Sequence, residues 1–378
     1  FLMAGTFWIL EPIPIYATSL VVIFLQVLLL SDQGLVDLSK SDYEVESYKT
    51  FYGTLANPII ILFLGGFSLA TAAVKYGIDK SLTRLLIKPF GTNPRMVCLG
   101  MMLSTALLSA FMSNTATTAM MMTMVVPIVM VLKPDDAFRK GIALSIPVAA
   151  NIGGIATPIG TPPNAIALTA LREQGVNITF STWMLIATPL VIVMLFISWR
   201  VLLWLFPPTE SEIQLDFSEK FEPSKNALLT SGVFIVTILL WITEKLHGIS
   251  SNVVAFFPIT ILPALGVLNT TDIRRYSWEV LWLVAGGISM GISLKNTGLA
   301  EWLISLINWK SLGSLTMVLI FVLVAYGIAN LVSNTVTATL LIPLATGLGV
   351  SGIMGPEFPI ASVIVLIGIT VSFSMMLP

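Results

Sequence analysis

Apolar residues fall in long blocks along this chain, separated by short polar stretches, and the lengths of those blocks set the expected elements. The longer blocks cover 15–30, 54–72, 182–206, 228–244, 253–268, 279–293 and 312–330. An α-helix rises ~1.5 Å per residue, so about 20 residues cross the ~30 Å hydrocarbon layer of a bilayer. The backbone in lipid must satisfy its own hydrogen bonds, and the period-2 alternation of a barrel strand is absent, so the blocks are predicted to be helices. The expected fold class is an all-α polytopic membrane protein in a multi-pass topology.

Other apolar stretches carry polar interruptions, and these are the informative ones. Residues 96–132 are too long for one span, and Ser113-Asn114-Thr115 sits in the middle with about 16 residues on either side. Each arm is short for a full crossing, which predicts a re-entrant hairpin with the motif at its tip. Residues 312–349 repeat the arrangement around Ser333-Asn334-Thr335. A third interruption, Asn151 to Asn164, packs three prolines and three glycines into fourteen residues. An interior proline costs ~3 kcal/mol and removes a hydrogen bond, so the helix is predicted to break there. Irregular backbone at membrane depth persists only where it is buried in protein or lines a cavity. A tight surface loop is the alternative, against which the apolar flanks argue.

Self-comparison adds an internal repeat. Trp8-Ile9-Leu10-Glu11 matches Trp241-Ile242-Thr243-Glu244, Gly65-Gly66 matches Gly286-Gly287, Gly77 matches Gly298, and the two Ser-Asn-Thr motifs match each other. The offset drifts from 233 to 220, mostly in the polar loop 31–53. Four matches in one order indicate a duplication, with residues 1–206 as the first repeat, 207–226 as an acidic polar linker opened by Pro207-Pro208, and 227–378 as the second repeat. Loop charge bears on orientation, since Lys and Arg collect on the cytoplasmic side. Residues 75–95 hold Lys75, Lys80, Arg84, Lys88 and Arg95 against Asp79 alone, whereas 295–310 hold only Lys295 and Lys310 with Glu301. That asymmetry predicts an inverted repeat with 75–95 in the cytoplasm. Leu82, Leu85 and Leu86, and Leu299, Trp302, Leu303 and Leu306, mark both stretches as amphipathic interfacial helices or else as plain connecting loops.

Composition narrows the function. Hydrophobic residues make up 56% of the chain and charged residues 10%, against roughly 25% charged in soluble domains. The net charge is −1 with scattered basic residues, which gives no basic footprint for nucleic acid. Cys98 is the only cysteine and reads as a small packing residue; His247 is the only histidine and reads as a helix terminus. Met101-Met102 and Met120 to Met122 read as adaptable packing. Segments 96–132, 141–171 and 311–356 contain no Asp, Glu, Lys, Arg or His. They offer no proton carrier and no basic partner for an anion. Burying a polyanion there without compensation would cost tens of kcal/mol by Born reasoning. Bound cations must then supply the counter-charge, which favours sodium over proton coupling; an uncharged substrate is the other reading. Glu11 and Glu244, at the ends of apolar blocks, read as helix-terminal groups or as functional carboxylates. Paired aspartates, His-Glu-x-x-His and Ser/His pairs are absent from the apolar segments, which argues against an intramembrane enzyme, and no ring of charge or repeated filter suggests a channel.

With the paired Ser-Asn-Thr motifs, the Trp-Ile-x-Glu approach and the Gly160-Thr161-Pro162-Pro163-Asn164 break in place, the chain resembles the divalent anion/sodium symporter family, the INDY-like di- and tricarboxylate carriers. The resemblance implies a homodimer in the plasma (inner) membrane with elevator-type transport and sodium as coupling ion. Carried over by position, it implies that Asn114, Thr115, Thr161, Ser333, Asn334 and Thr335 contact substrate. It also implies a first sodium site from Ser109, Ser113, Asn114 and Gly160, and a second from Val332 and Asn334. Ala329 stands where the second repeat would match Ser109, so the second site is expected to lean on backbone carbonyls. The offset of 220 maps Pro158 onto Pro378, and few residues precede Trp8; the stretch from 1 to 378 is thus expected to lack the first helix, part of the second and a C-terminal half-helix. The expected activity is sodium-coupled uptake of C4-dicarboxylates such as succinate, malate or fumarate. A sodium-independent dicarboxylate exchanger or an inorganic divalent-anion carrier on the same scaffold is the runner-up.

Overall fold

The structure is a computed structural model, and it describes residues 1–36, 45–213, 224–306, 313–350 and 359–374. Most of the acidic part of the expected linker, including Asp216, Glu219 and Glu222, and residues 307–312 with Lys310 lie outside the described residues, as does Pro378.

Among the described residues the regular structure is helical, with one isolated bridge between Ser31 and Glu46. The chain opens with α1 (Leu2–Leu10) and α2 (Ile15–Leu30), then α3 (Tyr48–Gly53), which leads through a 3-10 turn into α4 (Pro58–Lys75). Next come α5 (Ile78–Ile87), α6 (Pro94–Ser109), α7 (Asn114–Val131), α8 (Phe138–Gly154), α9 (Pro162–Glu173) and α10 (Phe180–Leu205). The second half holds α11 (Lys225–Ile242), α12 (Glu244–His247), α13 (Ser251–Val254), α14 (Phe256–Ala264), α15 (Thr270–Arg274) and α16 (Trp278–Asn296). It closes with α17 (Leu299–Ser305), α18 (Ser314–Ala329), α19 (Asn334–Val350) and α20 (Ile360–Ser372). Four described segments are long and apolar enough to cross a membrane: Tyr48–Lys75, Asn114–Val131, Phe180–Leu205 and Lys225–Ile242.

Helix boundaries repeat with the spacing of the motifs. The pair α6 and α7 recurs as α18 and α19 with starts at Pro94 and Ser314, and at Asn114 and Asn334. Gly77 and Gly298 both take φ 66° and turn the chain into α5 and α17. Trp8 and Trp241 are both fully buried, and their indole N–H groups donate to Ile15 O (3.1 Å) and Ser251 O (3.0 Å). Helix α20, which no apolar block had singled out, takes the place in the second repeat that α8 holds in the first.

Two differences from the sequence reading have local causes. The block 253–268 forms two short helices that part at Ala255. Pro258 has no N–H to return to the Val254 carbonyl, so the ladder is interrupted there. The expected break over 151–164 is narrower than its composition implied. Asn151 to Gly154 remain in α8, and Pro162-Pro163 begin α9, because proline is well tolerated in the first turn where an N–H has no intrahelical partner anyway.

Contacts divide the chain into two compact units that take segments from both repeats. One comprises Phe1–Ile61, Pro162–Ile178 and Ser277–Pro378. In it α2 packs on α16, where a Cβ at Gly286 would fall 2.8 Å from Ser19 Oγ, and Gln26 Nε2 donates to Ser289 O at 3.1 Å. Its core gathers Trp8, Val22, Leu283, Met290, Leu294, Val336 and Leu340. The other unit comprises Leu62–Thr161 and Thr179–Tyr276. There Gly65 on α4 approaches Ala255 as Gly286 approaches Ser19, with a 2.8 Å gap from an added Cβ to Ala255 Cβ. Helix α5 buries Asp79, Thr83 and Ile87 and leaves Leu85 exposed, as an interfacial helix with an outward leucine would.

Candidate functional site

The hairpin of the first repeat lies within the second compact unit. Helix α6 ends at Ser109, Ala110 to Met112 turn the chain, and Ser113 caps α7, its side chain accepting from Ala116 N at 3.4 Å. Asn114, the first residue of α7, points its amide back across the turn. Ser109 Oγ donates to Asn114 Oδ1 at 2.7 Å, and Asn114 Nδ2 donates to Asn151 Oδ1 at 3.1 Å. Ser109 is fully buried.

The broken helix closes on the same amide. A Cβ added at Gly154 would stand 2.5 Å from Asn114 Oδ1 and 3.2 Å from Gly160 O, so the glycine at the end of α8 leaves room for these oxygens to converge. Thr157 Oγ1 donates to Ala110 O and ties the break to the hairpin turn, while Trp183 Nε1 donates to Ile155 O at 3.0 Å from α10. Ser109 Oγ, the Asn114 and Asn151 side-chain oxygens and the Gly160 carbonyl therefore meet in one neighbourhood that contains no ionisable side chain of α6, α7 or the break. Hard neutral oxygens of this kind suit an alkali cation. Ser113 uses its hydroxyl as a cap, Thr115 is exposed on the first turn of α7, and Thr161 is 4% exposed at the start of α9. Helix α7 presents its N-terminal N–H groups at Asn114 and Thr115, which favours an anion there.

In the first compact unit, α18 ends at Ala329, Asn330 to Ser333 make the turn, and α19 begins at Asn334. Val332, Ser333 and Asn334 are partly buried, and Thr335 is 9% exposed. Ala329 leaves this hairpin without a counterpart of Ser109, and a hydroxyl reaches the amide from another element: Ser374 Oγ donates to Asn334 Oδ1 at 2.6 Å. Asn151 and Ser374 are the two residues that sequence reasoning left out of the site. Asn151 opened the Gly/Pro-rich constellation without being assigned a role. Ser374 could have been found from the repeat offset of 220, which sets it opposite Gly154.

The other singled-out polar residues sit at helix ends or inside the packing. Glu11 ends α1 at φ 48°, and Glu244 Oε2 accepts from Phe180 N at the start of α10 at 3.2 Å. His247 Nε2 lies 2.8 Å from Leu240 O, and its Nδ1 accepts from Ile249 N at 3.0 Å. Cys98 is buried in α6.

Comparison with known proteins places the chain in a family. A family model described as citrate transporter, CitMHS, matches residues 6–370. The chain belongs to the CitMHS citrate transporter family. It is thus a member of a transporter family and not an enzyme. An uncharacterized transporter of Schizosaccharomyces pombe is 29% identical over all of this chain and 43% of its own length. The inorganic phosphate transporter PHO87 of Saccharomyces cerevisiae is 29% identical over 90% of this chain and 37% of its own. The sodium-dependent dicarboxylate transporter SdcS of Staphylococcus saprophyticus is 30% identical over 93% of this chain and 72% of its own. The chain spans less than half the length of the two yeast relatives.

Proposed function

We propose that this CitMHS-family chain is the membrane part of a secondary active transporter that couples sodium to the uptake of C4-dicarboxylates such as succinate, malate or fumarate. The observation that carries the reading is the Ser109–Asn114–Asn151 hydrogen-bond chain set against the Gly154–Gly160 break, a cluster of neutral oxygens without a basic residue. A dianion in such surroundings needs positive charge, and helix N-termini supply only about half an elementary charge each. Sodium ions held by Ser109, Ser113, Asn114 and Gly160, and by Val332 and Asn334, would supply the remainder. Asn114, Thr115, Thr161, Ser333, Asn334 and Thr335 would then hold the carboxylates through hydroxyl and amide donors.

Coupling follows from shared atoms. Asn114 offers Oδ1 to the cation and Nδ2 to the anion, so each ligand orients the amide that the other needs. One of the two Nδ2 hydrogens goes to Asn151, which leaves one for substrate. The description of the relative SdcS as a sodium-dependent dicarboxylate transporter supports the same pairing of cation and substrate. The carrier would work as a homodimer in the plasma membrane, with the two repeats in inverted orientation and an elevator-type movement of the site.

A second reading is favoured by the name of PHO87: an inorganic-anion carrier for phosphate on the same scaffold. Uptake of labelled succinate into proteoliposomes, in sodium or choline buffer and with excess phosphate as competitor, separates the two. Sodium-dependent uptake that phosphate does not suppress supports the dicarboxylate reading. Uptake indifferent to sodium overturns coupling, and phosphate uptake in place of succinate overturns the substrate.

A further inference from the structure

The two repeats place a serine hydroxyl on the motif asparagine from different elements. In the first repeat the hairpin supplies it: Ser109, at the end of α6, bonds Asn114 Oδ1 at 2.7 Å, and the break contributes Gly154. In the second the hairpin supplies Ala329, and Ser374, just beyond α20, bonds Asn334 Oδ1 at 2.6 Å. The offset of 220 relates Ser109 to Ala329 and Gly154 to Ser374, so serine and its small partner have exchanged places. The geometry explains why the exchange works. A Cβ at Gly154 would point at Asn114 Oδ1 from 2.5 Å, so this position on the break faces the amide oxygen, as position 374 does in the second repeat.

We infer that Ser374 Oγ is a cation-binding hydroxyl of the second sodium site, taking over at Asn334 the part that Ser109 has at Asn114. The inference rests on the sodium-site reading above and adds a residue to it. A hydroxyl has one hydrogen and two acceptor lone pairs. Ser374 Oγ also lies 2.7 Å from Val371 O, so its single hydrogen can turn from the amide to that carbonyl. With the hydrogen there, the Ser374 and Asn334 oxygens both direct lone pairs to a shared cation. The backbone carbonyl of Val332 on the hairpin turn would complete the same set, and no charged side chain is required.

The test is sodium titration of thermal stability in detergent, with choline as the control salt and no substrate added, on the wild type, Ser109→Ala, Ser374→Ala and the exchange variant Ala329→Ser/Ser374→Gly. Ser374→Ala is expected to raise the sodium concentration for half-maximal stabilisation by roughly three- to tenfold, the worth of one hydroxyl contact. The exchange variant, which rebuilds the first repeat's arrangement in the second, is expected to recover most of that loss. Ser374→Ala matching wild type while Ser109→Ala weakens sodium binding would overturn the role of Ser374 and leave the sodium reading standing. No sodium stabilisation of the wild type over choline would instead overturn the sodium reading itself. Should Ser374→Ala lower stability in both salts alike and the exchange variant fail to restore sodium sensitivity, the serine is a packing group and the inference falls.

Discussion

Ser109 Oγ donates a 2.7 Å hydrogen bond to Asn114 Oδ1 across the tip of the first hairpin, joining the last residue of α6 to the first of α7. The bond fixes which way the amide faces, with oxygen towards Ser109 and the Gly154–Gly160 break, and nitrogen towards Asn151. Ser109→Ala removes a buried hydroxyl worth about 1 kcal/mol net. The expected outcome is a roughly fivefold rise in the sodium concentration for half-maximal succinate uptake, with maximal uptake at saturating sodium largely kept.

Asn114 and Asn334 should behave differently from Ser109, because in the proposed function each amide would serve both ligands. Asn114→Ala is expected to weaken the apparent affinities for sodium and succinate together, by about tenfold or more, where ~1.4 kcal/mol is a factor of ten. An Asn114→Ala variant with both affinities unchanged in proteoliposome uptake would remove Asn114 from the site.

How much of this was open to sequence reasoning depends on what each residue's neighbours reveal. The hairpin tips were legible because Ser113-Asn114-Thr115 and Ser333-Asn334-Thr335 interrupt apolar runs at the same spacing, and α6, α7, α18 and α19 start where that spacing requires. The break was legible in kind but not in extent: glycine and proline content cannot tell a helix-ending Gly154 from a helix-starting Pro162. Ser374 lies outside the motifs, meeting Asn334 from 40 residues away through the end of α20, and in the sequence only the repeat offset that sets it opposite Gly154 points to it. The exposed Leu85 of α5 shows the same limit, since a helical stripe gives a face but not its neighbour.

Asn151 gives a test of the amide's other end. Asn151→Leu leaves Asn114 Nδ2 without its 3.1 Å acceptor at a partly buried position, which costs roughly 1–3 kcal/mol. Succinate affinity is expected to fall by about fivefold or more, while Asn151→Asp, which keeps an oxygen acceptor, should retain more uptake at alkaline than at acidic pH.

Gly154→Ala tests the convergence of hairpin and break. The new methyl would sit 2.5 Å from Asn114 Oδ1, so the amide must move. Uptake is expected to drop by at least about tenfold, since small displacements at a binding centre are costly, with helical circular dichroism unchanged. Wild-type uptake in this variant would show that the glycine is not holding the oxygens together.

A stability prediction concerns Asp272, the third residue of α15 and part of a capping box with Asn269. Burial alone would raise its pKa, but the 2.6 Å bond from Lys75 Nζ and the 2.8 Å bond from Asn269 N outweigh it and hold the carboxyl below its ordinary range. A carboxyl depressed on folding stabilises above its unfolded pKa of about 3.9 and loses that contribution as pH falls through the folded value. Asp272→Asn is therefore expected to lower the Tm by a similar amount at about pH 6 and about pH 8, with the gap to wild type closing only below about pH 4.

The central claim is that neutral oxygens and sodium together hold a dicarboxylate. Calorimetric titration of succinate into the purified protein, in sodium chloride and then in choline chloride, addresses it most directly. The expected result is saturable binding in sodium and at least about a hundredfold weaker binding in choline, a difference of ~2.7 kcal/mol. Equal affinity in the two salts would contradict the account, because the anion would then be held without the cation that the charge-free site requires.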